Sequence, residues 1–405
     1  MLLVAAAIDI LPAGTIPCAI ALRRSDGAIF FTQHRQVWKF HRGEFSVVAG
    51  EKWVDAEHGY GEWFADGPGA TARFNGPYGI ALCADGSLVV ADLSNNGVRK
   101  ISPRGVVTTL AGNWPYAFAD GAAATAMFNR RVAVAVRADG SIVVADRVNH
   151  RIRLISPAGL VTTLAGSGAY GFADGSAAEA RFKYPCGVAV CPDGTVLVCD
   201  RFNNRLRRIA ADGAVSTVAG SGAFGHLDGI GGAATFDFPT SIAVDTAGHA
   251  VVGEVGGCIR KIVLATGEVT TVGNGFGNYY VTALAIDPAG SIVFANPVTQ
   301  QIRDIGLGPG FSVEGFLPIW TPTRSNHLAS PEWSRDAVDI VMLARTRARQ
   351  IMGSDNSGWL GHVPVLPREV WEIIIGLIPR YQLGRPAWAT PVRDPNLEEW
   401  IGRQM

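Results

Sequence analysis

The sequence PYGIALCADGSLVVADLSNNGVRKISPRGVVTTLAG, Pro77–Gly112, carries the signals of four short antiparallel strands. Asp85-Gly86 is a dipeptide that accepts the positive φ of a tight hairpin, and Asn95-Asn96 marks a second turn. The runs between the turns are apolar and rich in β-branched residues, as strands are. One such meander cannot bury both of its faces, so it needs neighbouring sheets.

The same pattern recurs along the chain at a fixed period. Turn glycines that align with Gly86 are separated by three successive intervals of 54 residues, and less regular copies precede and follow them. The aligned glycines are Gly27, Gly86, Gly140, Gly194, Gly248 and Gly290. Repeated four-strand units at a period of this length predict a β-propeller, here with six units.

Each regular unit has an acidic residue at the end of its second strand and an arginine in its third strand. The pairs are Asp92 with Arg99, Asp146 with Arg153, Asp200 with Arg207, and Glu254 with Arg260. Both members are absent from the degenerate first unit, residues 20–50. Because the two residues recur together and are lost together, we interpret them as structural charge pairs that brace the blades.

The acidic residue, the asparagine turn and the apolar–arginine pair together resemble the NHL repeat. This resemblance extends over most of the chain and implies an all-β fold, a six-bladed β-propeller of four-stranded NHL-type blades in residues 1–316. The sixth unit lacks a recognisable fourth strand after Ile305. Since a ring must cover its edges, either residues 311–316 or an N-terminal strand, residues 2–9, should complete the last blade, and we favour the N-terminal strand.

A second repeated segment lies between the units, with the sequence FADG at residues 64–67, 118–121 and 172–175 and HLDG at 226–229. In a propeller, these insertions and the turns between second and third strands open on the same face. We predict that this face binds the partner of the protein. The candidate residues are the turn asparagines Asn95, Asn149 and Asn203 and the neighbouring arginines Arg147, Arg151, Arg201 and Arg205.

Sequence motifs for chemistry are lacking. The aspartates of the insertions, Asp66, Asp120, Asp174 and Asp228, could suggest calcium, but each precedes glycine and an Asx turn explains the dipeptide. The eight histidines show neither metal-ligand spacing nor repeat register. We therefore predict no catalytic residue, no metal ligand and no cofactor. A metal-dependent lyase or hydrolase with a site in the central channel stays an alternative, because distant blades can build such a site without a motif.

Charge and cysteine usage limit the partners. The chain has 35 basic and 35 acidic residues, so its net charge implies no polyanion. Some NHL propellers of tripartite-motif proteins bind single-stranded RNA on a basic face, and the arginine rim keeps this alternative open. Six scattered cysteines indicate free thiols in a reducing, cytoplasmic compartment, and no run has transmembrane length. No membrane partner is expected.

The repeats stop after Trp320, where the composition changes. We expect a linker at 317–329 and a helical region at 330–405, beginning with the helix-start signal Ser330-Pro331-Glu332. Its segment LPREVWEIIIGLIPRYQL, with a helix at about 366–379, resembles the opening helix of an F-box. The matching positions include Leu366, Pro367, Glu369, Ile374, Ile378, Pro379 and Leu383.

An F-box would imply docking on a Skp-type adaptor and a role as the substrate receptor of a ubiquitin ligase. The alternative is a helix that packs the tail onto itself or onto the propeller. In either case the sequence favours a non-enzymatic scaffold that binds a protein or peptide on the propeller face.

Overall fold

The computed structural model describes residues 17–51, 64–112, 116–273, 281–287, 290–296 and 301–305. Their regular structure is almost entirely β-strand, in six antiparallel sheets. Two 3-10 turns, Arg201–Asn203 and Gly231–Ala233, are the only helical elements of these ranges. The predicted all-β propeller is therefore confirmed.

Five sheets are complete blades in which four consecutive strands pair in order. Blade 1 contains β1 (Ala19–Arg23), β2 (Ala28–Gln33), β3 (Gln36–His41) and β4 (Glu44–Ala49). Blade 2 contains β5 (Gly67–Pro68), β6 (Pro77–Leu82), β7 (Leu88–Asp92), β8 (Gly97–Ile101) and β9 (Val106–Ala111). Blade 3 contains β10 (Gly121–Ala122), β11 (Arg131–Val136), β12 (Ile142–Asp146), β13 (Arg151–Ile155) and β14 (Leu160–Ala165).

The last two complete blades follow the same order. Blade 4 contains β15 (Pro185–Val190), β16 (Val196–Asp200), β17 (Arg205–Ile209) and β18 (Val215–Ala219). Blade 5 contains β19 (Gly229–Ile230), β20 (Pro239–Val244), β21 (His249–Glu254), β22 (Ile259–Val263) and β23 (Glu268–Gly273). The two-residue strands β5, β10 and β19 belong to the insertions and pair with the fourth strand of the blade that follows them.

The sixth sheet has three strands, β24 (Ala283–Ile286), β25 (Ile292–Asn296) and β26 (Gln301–Ile305). The structure thus gives five complete blades rather than the six predicted. The physical reason is that β26 has no fourth-strand partner among the described residues. The N-terminal strand expected to complete this sheet, residues 2–9, lies outside them.

Six apolar clusters connect the sheets in a closed order. Each cluster is built from two neighbouring sheets, and the cluster around Ile20, Phe31 and Ala285 joins sheet 6 back to blade 1. The first strands of neighbouring sheets contact one another, which makes them the inner ring. The core therefore lies between the sheets and not within any one of them.

Strand β7 shows how the sequence produces this packing. Leu88 and Val90 pack against blade 1, whereas the alternate residues Val89 and Ala91 pack against blade 3. Successive side chains of a strand point to opposite faces of its sheet, so a fully apolar strand must be covered on both sides. This explains why the second strands read as continuous apolar runs and not as alternating ones.

Several predictions of the sequence fall outside the described residues. They are the linker at 317–329, the helical region at 330–405 and its F-box-like helix. In the part of the chain that the structure describes, no helix is long and apolar enough to cross a membrane. All six cysteines are free thiols, and four of them are buried.

Candidate functional site

A buried arginine organises each of blades 2–5. In blade 2, Arg99 is fully buried and all its N–H groups are used: Nη1 lies 3.0 Å from Asp92 Oδ2, and Nη2 lies 2.6 Å from Asp66 Oδ1. It also donates to the carbonyl oxygens of Ala65 and Arg73. We call this arginine with its two carboxylates the clamp.

The clamp recurs with nearly the same geometry in the other three blades. Each arginine bonds the acid at the end of its second strand and the aspartate of its insertion. The members are Arg153 with Asp146 and Asp120, Arg207 with Asp200 and Asp174, and Arg260 with Glu254 and Asp228. The structure therefore brings together every acid–arginine pair that the sequence singled out.

Burial and charge act against each other within the clamp. Burial raises the pKa of the Asp92 carboxyl to about 6, while the Arg99 guanidinium lowers it by stabilising the charged form. The guanidinium also contacts two phenyl rings, 4.4 Å from the centroid of Phe64 and 5.1 Å from that of Phe74. The clamp is thus a desolvated ion pair that fastens the insertion to its blade.

The insertion aspartates have a different role from the Asx turn proposed for them. Asp66 accepts hydrogen bonds from the backbone N–H and the hydroxyl of Thr109, 43 residues away, in addition to those from Arg99. The same threonine contacts recur at Asp120, Asp174 and Asp228. These carboxylates bind the fourth strand and the arginine, which explains their recurrence without calcium.

The turn asparagines also serve the scaffold. Each of the three asparagines donates from Nδ2 to the clamp carboxylate at the end of the second strand, at 2.8–2.9 Å; they are Asn95, Asn149 and Asn203. Asn149 and Asn203 donate further to the insertion carbonyls of Ala117 and Gly171. Insertions and turns therefore share one face, but these amides are occupied by intramolecular bonds.

Two of the four candidate arginines are held in the same way. Arg151 lies 3.8 Å above the ring of Phe118 and donates to Ser167 O, and Arg205 repeats this arrangement with Phe172 and Ser221. Added Cβ atoms at Gly168 and Gly222 would collide with these guanidinium groups. Each arginine thus ties its own insertion to the next one along the chain.

A row of six aromatic rings crosses the insertion face from blade 3 to blade 5. Neighbouring rings have centroids 4.8–5.7 Å apart and meet edge-on or tilted. We call Tyr170, His150, Tyr184, Phe202, Phe238 and Phe224 the aromatic row.

Three cations flank the aromatic row. Lys183 lies 4.8 Å from the centroid of Tyr170, Arg201 lies 5.3 Å from Phe202, and Arg147 lies 5.8 Å from Tyr184. Arg147 and Arg201 were predicted from the sequence, whereas Lys183 and the rings were not. Arg201 and Phe238 are buried, whereas Arg147, Lys183 and the other rings are half-buried or exposed. The accessible part of the row therefore offers π faces and positive charge together.

Strained backbone positions hold two of the rings. Tyr184 and Phe238 have φ of 52° and 46°, a left-handed conformation that costs a non-glycine residue about 1 kcal/mol or more. Their N–H groups donate to His150 Nδ1 and to Asn204 Oδ1. The same left-handed position recurs at Gly76 and Arg130 in blades 2 and 3, so it belongs to the blade architecture and fixes where these two rings lie.

Blade 5 contains a different cluster next to the end of the aromatic row. Ligand-type atoms of His226, Glu254 and Cys258 all lie within 4.8 Å of one another. His226 Nδ1 lies 2.9 Å from Glu254 Oε2, and its Nε2 lies 3.6 Å from Asp237 Oδ2. The nearby Cys258 and Glu254 side chains raise the pKa of His226 to about 10. The spacing of the histidines in the sequence did not indicate this cluster, because His226 lies 28 residues before Glu254.

Part of the chain is similar in sequence to known proteins. Residues 182–209 match the NHL repeat model. The chloroplastic protein Suppressor of Quenching 1 of Arabidopsis thaliana is 31% identical over 188 residues, which cover 44% of this chain. The chain spans only 17% of the length of that relative. The sequence thus contains an NHL repeat within a β-propeller.

Solved structures resemble the fold. A gluconolactonase of Xanthomonas campestris is 16% identical with a TM-score of 0.50, covering 72% of this chain and 85% of its own. A streptogramin B lyase is 15% identical with a TM-score of 0.48, covering 73% and 94%. At such identity the likeness to the gluconolactonase concerns the fold alone.

Proposed function

We propose that the propeller is a non-enzymatic recognition module that binds a protein or peptide on its insertion face. The observation that carries this proposal is the aromatic row with its flanking cations. Tyrosine, phenylalanine and arginine are enriched at protein interfaces, where rigid rings supply contact area at little entropic cost. Tyr170, 55% exposed, is the most accessible ring of the row.

The partner chemistry follows from the charges on this face. Lys183, Arg147 and Arg201 contact the rings, while the insertion carboxylates are already paired with the clamp arginines. A peptide with acidic side chains beside apolar or aromatic ones would complement both features. We therefore expect the partner to present an acidic–aromatic segment.

Single-stranded RNA is the second candidate, and the same rings with cations favour it, because bases stack on aromatic side chains and phosphates attract cations. The two candidates differ in their response to salt. Affinity for RNA falls steeply with salt, because added salt reduces the free energy gained when the protein releases counterions from the phosphates, whereas binding to aromatic anchors depends less on salt. Arg151 and Arg205 are already engaged by rings and carbonyl oxygens, which favours the peptide.

The test is a peptide-library selection on the full chain, followed by affinity measurements on a matched pair of variants. Tyr170→Ala removes an exposed ring of the row, and Leu160→Ala removes an equally exposed apolar side chain at the start of β14, at the opposite end of its blade. We expect Tyr170→Ala to weaken binding at least about 10-fold and Leu160→Ala to leave it unchanged. Equal affinities of the two variants would contradict the proposal.

Two further proposals concern segments outside the described residues. We propose that an N-terminal strand completes sheet 6 as a sixth blade, and that the F-box-like helix binds a Skp-type adaptor, which would make the chain a cytoplasmic substrate receptor. The adaptor proposal is tested by co-purification of the full chain with a Skp-type adaptor, compared with the variant Ile374→Asp. Absence of a complex with the full chain would reject it.

A further inference from the structure

Four side chains of blade 5 depart together from the pattern of the preceding blade. The position of Phe172 is taken by His226, and that of Arg205 by Cys258. The other two changes replace Asp200 by Glu254 and Lys183 by Asp237. In blade 4 the first two positions form the arginine–phenyl stack, and in blade 5 they bring an imidazole and a thiol near each other.

The longer glutamate makes one oxygen available for this cluster. Asp200 in blade 4 uses Oδ2 for both Arg207 and Asn203. In blade 5, Glu254 Oε1 accepts the hydrogen bonds from both Arg260 and the backbone N–H of Asp237. Its Oε2 then faces His226. Glu254 therefore keeps its ion pair with Arg260 and also contacts His226.

We propose that His226, Glu254 and Cys258 bind a transition-metal ion of the zinc class. Thiolate, imidazole and carboxylate form a donor set typical of zinc. Metal–ligand distances of about 2.0–2.3 Å place tetrahedral ligand atoms roughly 3.5 Å apart, within the 4.8 Å spread of these three. Glu254 and Cys258 are buried, whereas the His226 side chain is 41% exposed, which leaves a fourth coordination position open to solvent.

The surroundings of the three ligands fit this role. Asp237 is buried and faces Nε2 of His226, so it orients the ring with Nδ1 toward Glu254, as second-shell carboxylates do for zinc-bound histidines. The turn after Glu254 is one residue shorter than in blade 4 and contains Gly256-Gly257. A Cβ atom at Gly256 would lie 2.2 Å from Asp237 Oδ2 and 2.7 Å from His226, so glycine is required for this approach.

The proposal is tested on the full chain, freed of metal with a chelator and titrated with Zn²⁺ against a chromogenic competitor. Co²⁺ then replaces Zn²⁺, because a thiolate ligand gives cobalt a charge-transfer absorption in the near ultraviolet. The decisive variant restores both residues of blade 4, His226→Phe with Cys258→Arg. It should fold, since blade 4 accommodates this pair, and should lose the cobalt band and the zinc that the parent binds.

Two single variants refine the test. Cys258→Ser preserves the size of the side chain and should abolish the cobalt band and weaken Zn²⁺ at least about 100-fold, while Asp237→Asn should weaken it about 10–100-fold through the histidine. Cys83→Ser, a half-buried thiol of blade 2, serves as the control and should change neither. The proposal fails if the parent binds no Zn²⁺, or if the double variant and Cys258→Ser bind it as the parent does.

Discussion

Substitution of Arg153 by alanine removes the centre of the blade 3 clamp. The guanidinium and Asp146 are both fully buried, whereas Asp120 is 41% exposed. The variant therefore leaves the Asp146 carboxylate buried without its cation, while water can solvate Asp120. Removing one partner of a buried ion pair costs about 3–5 kcal/mol of unfolding free energy. We expect the upper end, because the carbonyl oxygens of Met127 and Ala119 also lose their donor.

Urea unfolding followed by far-ultraviolet circular dichroism measures this loss. Arg104→Ala, at an exposed turn of blade 2, is the control and should change the unfolding free energy by no more than about 0.5 kcal/mol. The double variant Arg153→Ala with Asp146→Ala should recover part of the loss, since no buried charge is then left alone. If Arg153→Ala unfolds at the same urea concentration as Arg104→Ala, the buried pair does not brace the blade.

Three other predictions concern the arginine–phenyl stack, the expected N-terminal strand and the aromatic row. Gly97 occupies in blade 2 the position that Arg151 has in blade 3, and an added Cβ would meet nothing closer than 3.4 Å. The Gly97→Arg side chain should therefore stack on Phe64 and raise the free energy of unfolding in urea by about 0.5 kcal/mol. A loss of stability would count against this stack. Deletion of residues 1–12 should lower the thermal midpoint if they complete sheet 6, and an unchanged midpoint would exclude this. Arg147→Ala should leave the salt dependence of peptide binding, measured by fluorescence anisotropy, nearly unchanged. If the ligand is RNA, the same substitution should reduce the slope of log affinity against log salt concentration by about one.

The sheets were predictable because their signals are local and repeated. The 54-residue period and the apolar runs locate the four main strands of each of blades 2–5, and the joint recurrence of Asp92 and Arg99 predicts a pair that lies at 3.0 Å. The partnership of Arg99 with Asp66 spans 33 residues. It depends on the insertion folding back onto the fourth strand, which no local pattern reports. A local Asx turn was therefore inferred where a long-range bond exists.

The aromatic row was missed for a related reason. Its rings come from insertions and turns of blades 3, 4 and 5, and they become evident only when the copies are compared at equivalent positions. The residue before the first strand is left-handed in four blades and reads Gly76, Arg130, Tyr184 and Phe238. The sequence signal that could have revealed the row is therefore this position, where the backbone conformation is the same in four blades but the residue type differs. The prediction of six complete blades was wrong for the described residues, because β26 has no fourth-strand partner among them.

Constant conformation with variable chemistry also explains how blade 5 could acquire a different cluster. The clamp fixes the backbone of each insertion, so the residues around it can change without loss of the fold. A copy that was merely degenerating would be expected to lose one member of the arginine–phenyl stack and leave the other unpartnered. In blade 5 both members changed, and His226 and Cys258 again lie close together across the same gap, with Glu254 turned toward them. Coordinated replacement of this kind argues for a retained interaction of a new chemical type and against neutral drift.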